Sequence, residues 1–345
     1  MKVKKVAIVS LSSGTIGEEF AKHEVEIGLR RLEAYGLQVN MMPHAQMGID
    51  YVKKHPEHRA QDLIQAFSYP SVDMILCAIG GDDTYRLLPW LFEGDALKNA
   101  LREKIFLGFS DSTINHLMLH KLGCKTFYGQ SFLADICELD LEMLPYTAQY
   151  FEELIRTGKI RDILPSDVWY EERTDWSSNA LGTSRKVHKN QGFQLLQGPA
   201  VFHGKILGGC LESIYDIFDS SRYPDTVSLC EKYGLFPDIS QWMGKILLLE
   251  TSEEQPSPEH YRTMLEALKK TGIFEAVAGV LCGKPMDELY FEEYKRILAE
   301  VVGNPQLPIV ANINVGHATP RCIIPFGVEA TVDVNRQRIQ FHYEV

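Results

Sequence analysis

The N-terminal part of the chain alternates short runs that are apolar throughout with longer amphipathic stretches. The apolar runs include KVAIVS, VDMILCAIGG and KIFLGF, and stretches with helical periodicity such as EEFAKHEVEIGLRRLEAYG separate them. Strands that are apolar on both faces are typical of a parallel sheet that helices cover on both sides. The pattern therefore predicts an α/β fold whose first domain is an open, doubly wound sheet.

A polar segment that contains tryptophans interrupts this pattern between about residues 140 and 200. After it, apolar runs return in PAVFHGKILGGC, GKILLLE, AVAGVLCGKP and PIVANINV. A chain of 345 residues suits two domains, since most domains have about 100 to 200 residues. We predict an N-terminal α/β domain over residues 1–145, a linker and active-site loop over residues 146–200, and a β-rich C-terminal α/β domain over residues 201–345.

The charge of the chain limits its partners. The formal net charge of -11 repels nucleic acid polymers and anionic membrane surfaces. The sequence has no run that approaches the roughly 18 apolar residues of a membrane span. The first apolar run is also short for a secretory signal and enters a Ser/Gly turn. A cytoplasmic location is therefore predicted.

The cysteines give no sign of a metal site or of a disulfide framework. There are seven of them, and they form no CxxC pair and no zinc-like Cys/His spacing. Most lie in apolar runs, where a free cysteine packs as a small hydrophobic residue. We predict buried, reduced thiols and no metal.

Three predicted strands end in small or polar residues. These ends are SLSSG (10–14), IGGDDT (79–84) and GFSDS (108–112). Open α/β sheets bind their ligands outside the carboxyl ends of the strands. The three segments therefore mark the predicted site of the first domain.

Ser110 lies between the strand-like KIFLGF and the helix-like STINHLMLHKLG. A sharp bend there would expose its hydroxyl as a nucleophile, and the next backbone N–H, that of Asp111, could donate to an oxyanion. The other interpretation is a helix cap, because Ser110, Asp111 and Ser112 are all good capping residues. The full GxSxG motif is absent, since Ser112 stands in place of the second glycine, so both interpretations stay open.

A nucleophilic serine needs a base and a carboxylate that orients the base. Among the histidines, His317 follows an apolar run and lies in the loop VGHATP, while Glu250 ends the apolar run KILLLE. Each also has a simpler interpretation, as a surface histidine and as the residue where a strand meets water. What the three residues share is a position at or after a strand end.

The loop IGGDDT permits a different function. Gly80 and Gly81 would let a ligand approach the backbone closely, as in the phosphate-binding GGDGT loop of some nucleotide-using kinases. Asp83 replaces the glycine that follows the aspartate in that loop and would place negative charge beside a phosphate. Gly80 or Gly81 could instead supply a second oxyanion donor opposite Asp111.

Seven motifs occur in one order along the chain: VSLSSG, IGGDDTYRLLP, GFSD, LGGCLES, KILLLE, CGKP and VGHATP. Together they resemble the LD-carboxypeptidase family of serine peptidases and, within it, the branch of microcin C immunity peptidases. The resemblance implies a Rossmann-like or flavodoxin-like parallel-sheet domain followed by a β-rich α/β domain. It also implies a cytoplasmic homodimer that needs no metal or other cofactor.

The resemblance assigns roles to individual residues. It implies that Ser110 is the nucleophile, His317 the base and Glu250 the orienting carboxylate. The backbone N–H groups of Asp111 and of the Gly80–Gly81 turn, Gly81 in particular, would hold the oxyanion.

Two positions depart from the family pattern, and two tryptophans help to indicate which branch of the family the chain resembles. Cys210 in LGGCLES stands where many relatives carry Asn, and GGDDT is more acidic than usual. The immunity branch resembles this chain in having an extended aromatic loop, so Trp176, and less directly Trp169, could stack on a nucleobase. The alternative is that these rings only pack the loop onto the domain.

The sequence thus predicts a serine carboxypeptidase or amidase with a Ser-Glu-His triad. Its substrate would be a small peptide or an aminoacyl-nucleotide conjugate of the processed microcin C type, and its role would be self-immunity or detoxification. One alternative is an LD-carboxypeptidase that acts on murein tetrapeptides. The other is a kinase-like nucleotide-binding protein that uses the IGGDDT loop.

Overall fold

The computed structural model of the protein describes residues 2–344 and divides its strands mainly between two sheets. In chain order the strands are β1 (Lys5–Val9), β2 (Gln38–Met41), β3 (Met74–Cys77), β4 (Ile105–Gly108), β5 (Thr126–Tyr128), β6 (Asp162–Ile163), β7 (Val168–Tyr170), β8 (Val187–Lys189), β9 (Gln194–Gln197), β10 (Val201–Cys210), β11 (Ile246–Glu250), β12 (Gly279–Gly283), β13 (Ile309–Ile313), β14 (Ile324–Phe326), β15 (Glu329–Asp333) and β16 (Arg338–His342). The α-helices are α1 (Lys22–Ala34), α2 (Ile49–Lys54), α3 (Pro56–Ser68), α4 (Leu88–Phe92), α5 (Ala96–Ala100), α6 (Ser112–Lys121), α7 (Pro145–Thr157), α8 (Leu211–Asp216), α9 (Thr226–Lys232), α10 (Ile239–Trp242), α11 (Pro258–Lys270), α12 (Ile273–Ala276) and α13 (Phe291–Val302).

The first sheet has six strands in the order β14-β5-β4-β3-β1-β2. Strands β1 to β5 are parallel, and β14 adds to the edge antiparallel to β5. The order 2-1-3-4-5 is that of flavodoxin-like sheets, with a topological switch point between β1 and β3. The predicted flavodoxin-like domain is therefore confirmed. Strands β3 and β4 are buried along their whole length, as their uniformly apolar sequences require.

The second sheet has eight strands in the order β6-β16-β15-β10-β11-β12-β13-β9. Its centre, β10 to β13, is parallel, and the outer strands pair antiparallel. The long strand β10 joins the two parts: its first half pairs with β15 and its second half with β11. This arrangement confirms the predicted β-rich α/β fold of the C-terminal part.

The segment between the sheets has more regular structure than the sequence indicated. It begins with α7, and strands β6 and β9 belong to opposite edges of the second sheet, while β7 and β8 form a separate ribbon. The predicted linker and loop thus contain most of α7 and four short strands, β6 to β9. Two signals were present in the sequence: Pro145 at the first position of α7, and Gly158 in left-handed conformation after its end. The three-part division at residues 145 and 200 stays a prediction.

All seven cysteines are free, five of them buried and two half-buried, as expected for thiols that pack as hydrophobic residues. Among the helices within residues 2–344, no helix has the length and apolar character that crossing a membrane requires.

Candidate active site

The carboxyl ends of β1, β3 and β4 meet, and buried hydrogen bonds join the loops that follow them. The Ser12 hydroxyl donates to Asp111 Oδ2 at 2.6 Å, and the backbone N–H of Thr84 donates to the same oxygen at 2.9 Å. Burial raises the pKa of Asp111 to about 6. The Asp111 side chain therefore joins the three loops, and it makes no capping bond to α6. The expectation that it caps this helix is wrong.

Ser110 occupies the bend between β4 and α6 in left-handed backbone conformation, with φ of 63°. This conformation costs an L-residue about 1–2 kcal/mol, so the surrounding structure must hold it. Its Oγ lies 3.1 Å from His317 Nε2. Gly80 packs against it so closely that a Cβ there would come within 2.6 Å of Oγ. Ser110 is thus presented on a strained turn, as a nucleophile requires, although the sequence lacks the second glycine of the usual motif.

Two strands of the second sheet position Glu250 and His317. Glu250 is the last residue of β11, and His317 lies in the loop after β13. The imidazole Nδ1 is 2.8 Å from Glu250 Oε2, and the backbone N–H of His317 donates to the same oxygen at 3.2 Å. Gly316 permits this approach, because a Cβ at its φ of 91° would lie 2.3 Å from Oε2. The structure therefore places Ser110, His317 and Glu250 in one hydrogen-bonded line.

Tyr128 is the other hydrogen-bond partner of Glu250, and no sequence pattern indicated this role. Its hydroxyl donates to Glu250 Oε1 at 2.6 Å and accepts from the backbone N–H of Ser110 at 3.2 Å. A carboxylate that is 1% exposed needs such donors, because an unpaired buried charge is very costly. Tyr128 lies on β5, beside Gly108 of β4. It therefore connects the nucleophile's strand with the orienting carboxylate.

Glu253 is a second carboxylate at His317. Its Oε2 lies 2.9 Å from Nε2, the same nitrogen that faces Ser110. Burial alone would lower the pKa of His317, but the carboxylates of Glu250 and Glu253 raise it to about 10. The hydrogen bond with His317 in turn lowers the pKa of Glu253 to about 2. The sequence TSEE does not distinguish Glu253 from Glu254, so only the structure identifies it.

Arg321 is a further charged group that contacts this loop. Its guanidinium donates to the backbone carbonyls of Gly316 and His317 and forms an ion pair with Asp135 at 3.0 Å. Arg321 therefore fixes the loop, while the two glutamates set the charge of the imidazole. Both carboxylates favour the protonated form of the imidazole and raise its pKa.

Replacing Glu253 by glutamine is expected to move the pH profile of the enzyme. A general base must be neutral, so kcat/KM rises with pH through the pKa of His317. Loss of one opposite charge at hydrogen-bond distance lowers that pKa by about 1 unit or more. The rising limb should therefore shift to lower pH, and kcat/KM at pH 7 should increase about tenfold.

The pH dependence of kcat/KM for wild type, Glu253→Gln and Glu253→Asp checks this result. The aspartate variant keeps the charge, and its limb should stay closer to that of wild type. An unchanged limb in Glu253→Gln would show that Glu253 does not set the charge of His317.

The predicted oxyanion donors line the cavity that opens at Ser110. Gly81 and Asp111 both border it. Among residues 2–344, neither of their backbone N–H groups donates to a protein acceptor. Gly81 has φ of 152°, and a Cβ there would lie 2.3 Å from Ser12 Oγ, so only glycine fits. These positions suit an oxyanion hole, and the role of the two N–H groups stays a prediction.

Comparison with models of protein families shows which family the chain belongs to. Residues 6–129 match the LD-carboxypeptidase N-terminal domain, and residues 203–332 match the LD-carboxypeptidase C-terminal domain. The protein belongs to the LD-carboxypeptidase family. The resemblance found in the seven motifs is thereby confirmed, and membership makes the protein a serine peptidase-like hydrolase.

Three proteins with different names are similar to this chain. A MccF-like protein from Streptococcus pneumoniae, solved in complex with AMP, is 64% identical over 99% of both chains, with a TM-score of 0.98. The microcin C7 self-immunity protein MccF from Escherichia coli is 26% identical over 82% of this chain and 77% of its own. The murein tetrapeptide carboxypeptidase from Pseudomonas aeruginosa is 28% identical over 97% of this chain and 94% of its own.

The IGGDDT loop of this chain is arranged differently from a phosphate-binding kinase loop. Asp83, the residue that departs from the kinase loop, forms a buried ion pair with Arg59 at 2.5 Å. Gly80 and Gly81 lie against Ser110 and Ser12. Family membership and this packing both argue against the kinase-like alternative.

The two tryptophans of the segment between the two sheets differ in exposure. Trp169 is 8% exposed and stacks on His188, with ring centroids 4.3 Å apart, so the packing interpretation accounts for it. Trp176 is 37% exposed, and the guanidinium of Arg185 lies 5.4 Å from its ring centre. Nucleobase stacking stays a prediction, and Trp176 is the residue whose exposure permits it.

One group outside the candidate active site has donors that a metal ion could use. Within residues 2–344, ligand atoms of His55, Glu57 and His58 lie within 4.8 Å of one another. The two imidazoles are nearly parallel, at 19°, and His58 Nδ1 bonds the Tyr51 hydroxyl at 2.7 Å. Parallel rings direct their lone pairs side by side rather than to one point, so the group fits a metal poorly. The geometry of these three residues does not test the prediction that catalysis needs no metal.

Proposed function

We propose that the protein is a serine carboxypeptidase or amidase that hydrolyses an aminoacyl-nucleotide conjugate of the processed microcin C type, or a similar small peptide. Such activity would confer self-immunity or detoxification. The observation that carries the proposal is the line from Ser110 Oγ through the His317 imidazole to Glu250, with separations of 3.1 and 2.8 Å. The high identity to a MccF-like protein solved with AMP supports a substrate that contains a nucleotide.

The proposed reaction begins when His317 loses its Nε2 proton to solvent and substrate displaces Glu253 from that nitrogen. His317, which Glu250 orients, then removes the hydroxyl proton of Ser110 as its Oγ attacks the amide carbonyl. The N–H groups of Gly81 and Asp111 stabilise the oxyanion. His317 protonates the leaving amine, and water hydrolyses the acyl-enzyme by the same route.

The experiment that tests the substrate is a side-by-side assay with an aminoacyl-sulfamoyl adenosine and a murein tetrapeptide. We expect the conjugate to be hydrolysed with the higher kcat/KM. The similarity to a murein tetrapeptide carboxypeptidase supports the alternative. Hydrolysis of the tetrapeptide alone would establish that alternative and contradict the proposal.

Replacing Trp176 by alanine is expected to affect the two substrates unequally. A stacked base contributes about 1–3 kcal/mol, so kcat/KM for the conjugate should fall about 5- to 150-fold. The tetrapeptide has no base and should lose little. The matched control is Trp90→Ala, since Trp90 is also exposed, at 51%, and lies on α4. Equal losses on both substrates would remove the stacking role of Trp176.

Two further features of the proposal come from the family resemblance. They are a homodimeric state and a cytoplasmic location, and both stay predictions.

A further inference from the structure

Arg59 is a buried cation beside the loops that carry the predicted oxyanion donors. It lies on α3 and is 1% exposed. Its guanidinium forms a bidentate pair with Asp83, with Nη1 2.5 Å from Oδ1 and Nη2 3.4 Å from Oδ2. The same Nη1 lies 3.2 and 3.3 Å from the carbonyl oxygens of Leu11 and Ser12. One side chain therefore joins the loop after β1 to the loop after β3.

The loop after β1 in turn fixes the turn that contains Gly81. On one side of Gly81, the carbonyl of Gly80 accepts from the backbone N–H of Ser13 at 3.1 Å. On the other side, the backbone N–H of Asp83 donates to Ser12 Oγ at 3.3 Å. Two neighbouring serines thus hold the backbone at both ends of Gly81, and the direction of its N–H depends on where these serines lie.

The pair between Arg59 and Asp83 is better suited to fixing geometry than to stabilising the fold. The cost of removing two charges from water offsets most of their attraction, and apolar replacements of buried ion pairs are often neutral or stabilising. Within residues 2–344 the Nε–H of Arg59 also finds no acceptor, which adds to the cost of burying the guanidinium. What the pair supplies is a set of directional bonds to two loops.

Asp83 has a second arginine within reach. Arg86 Nε lies 3.7 Å from Asp83 Oδ2, and the Arg86 side chain is 33% exposed. If Arg59 were absent, Arg86 would remain as a charged partner of this carboxylate. Movement of Asp83 towards Arg86 would shift the backbone N–H that bonds Ser12 Oγ, and the turn at Gly81 would shift with it.

Building on the proposed function, we propose that Arg59 is a positioning residue of the oxyanion hole. Through Ser12 and Asp83 it holds the Gly81 N–H where the carbonyl oxygen of the substrate becomes negatively charged. An oxyanion donor acts at about 2.7–3.1 Å, and a misplacement of about 1 Å can lower the rate about 100-fold. Arg59 does not line the cavity at Ser110, so it acts only through these neighbours.

The variant that tests this role removes both charges of the pair. Arg59→Met alone would leave the Asp83 carboxylate buried without its main partner, which is strongly destabilising and can prevent folding. Arg59→Met combined with Asp83→Leu avoids the unpaired charge. The control combines Arg338→Met with Asp162→Leu, because this pair has a similar separation of 2.7 Å but joins β16 to β6 in the second sheet.

Steady-state kinetics show whether the pair acts on the transition state. The substrate is the conjugate or the tetrapeptide, whichever the wild-type protein hydrolyses, and kcat is normalised to the folded fraction from urea denaturation. We expect kcat of the double variant to fall about tenfold or more, because a displaced donor loses part of its effect of about 100- to 1,000-fold. KM should change less than about twofold, as for an interaction made only in the transition state. The rising limb of the pH profile should stay in place, because Glu250 and Glu253 still act on His317.

Amide hydrogen exchange tests the position of the loops independently of catalysis. The backbone N–H groups of Ser13, Asp83 and Thr84 are hydrogen-bonded in the wild-type protein. In the double variant, peptides that cover residues 10–14 and 80–84 should exchange about fivefold faster or more, while β4 keeps its wild-type rate. Equally faster exchange in β4 would show a general loss of stability and would contradict a local role.

The outcomes separate this inference from the proposed function. If the wild-type protein hydrolyses neither substrate, the proposed function fails, and faster exchange in the two loops still supports the role of Arg59 in holding them. If hydrolysis occurs and the double variant keeps the wild-type kcat, the inference fails and the proposed function stands. Unchanged exchange in both loops, or an equal loss of kcat in the control variant, would also overturn the inference.

Discussion

Replacement of Ser110 by alanine is expected to lower kcat for amide hydrolysis by about 10⁴-fold or more. The variant retains the oxyanion donors and substrate binding but has no oxygen to form the acyl-enzyme, and loss of a serine nucleophile has effects of this size in serine proteases. Single-turnover assays on the conjugate measure the residual rate. Hydrolysis at near wild-type rate would contradict the nucleophile role.

Ser110→Gly provides a control that separates chemistry from folding. Both variants lack the hydroxyl and should be equally inactive. Glycine avoids the conformational cost of about 1–2 kcal/mol that alanine has at φ of 63°. Glycine also makes the unfolded chain more flexible, which lowers the free energy of unfolding by about 0.4–1 kcal/mol. The glycine variant should therefore be more stable to unfolding than the alanine variant by about 0.5–1 kcal/mol. Urea denaturation measures this difference.

Replacement of Glu250 by glutamine is expected to lower kcat by about 10³- to 10⁴-fold. The side chain keeps its shape, but its amide can present an N–H to His317 Nδ1 and so favour the tautomer that cannot accept the Ser110 proton. It also no longer stabilises the imidazolium that forms when His317 accepts that proton. The pH profile of kcat and the residual rate measure the effect.

Tyr128→Phe is the comparison for this variant. It removes one donor from Glu250 but leaves the carboxylate on His317, so a loss of about tenfold is expected. Equal losses in Glu250→Gln and Tyr128→Phe would show that the hydroxyl, rather than the charge at His317, controls the rate.

The sequence predicted those features that depend on local pattern. Runs that are apolar throughout predicted the parallel strands, and the strand ends at Ser110, Glu250 and His317 indicated where polar side chains would gather. Seven ordered motifs then identified the family. Within each sheet, parallel strands place their carboxyl ends on one edge, so position along the chain indicates position in space. The approach of Ser110, from the first sheet, to Glu250 and His317, from the second, has no such local signal.

Features that depend on contacts between distant segments were not predictable in this way. In the sequence, Asp111 resembles a helix cap. In the structure, its carboxylate accepts hydrogen bonds from Ser12 and Thr84, which lie on other loops. Glu253 and Tyr128 are ordinary residues until the fold places them at His317 and Glu250. Each of these functions arises from an approach of two strands or loops whose separation in the chain gives no periodic signal.

Strand β14 has a consequence for how this chain can be divided. It comes from the C-terminal part but pairs with β5, at the edge of the sheet that carries Ser110. A fragment that ends before β14 would leave the hydrogen-bonding groups of β5 exposed, and such an edge promotes aggregation. The N-terminal sheet is therefore completed only when β14 is present, which makes the folding of the nucleophile's domain depend on a segment that follows most of the second sheet in the chain.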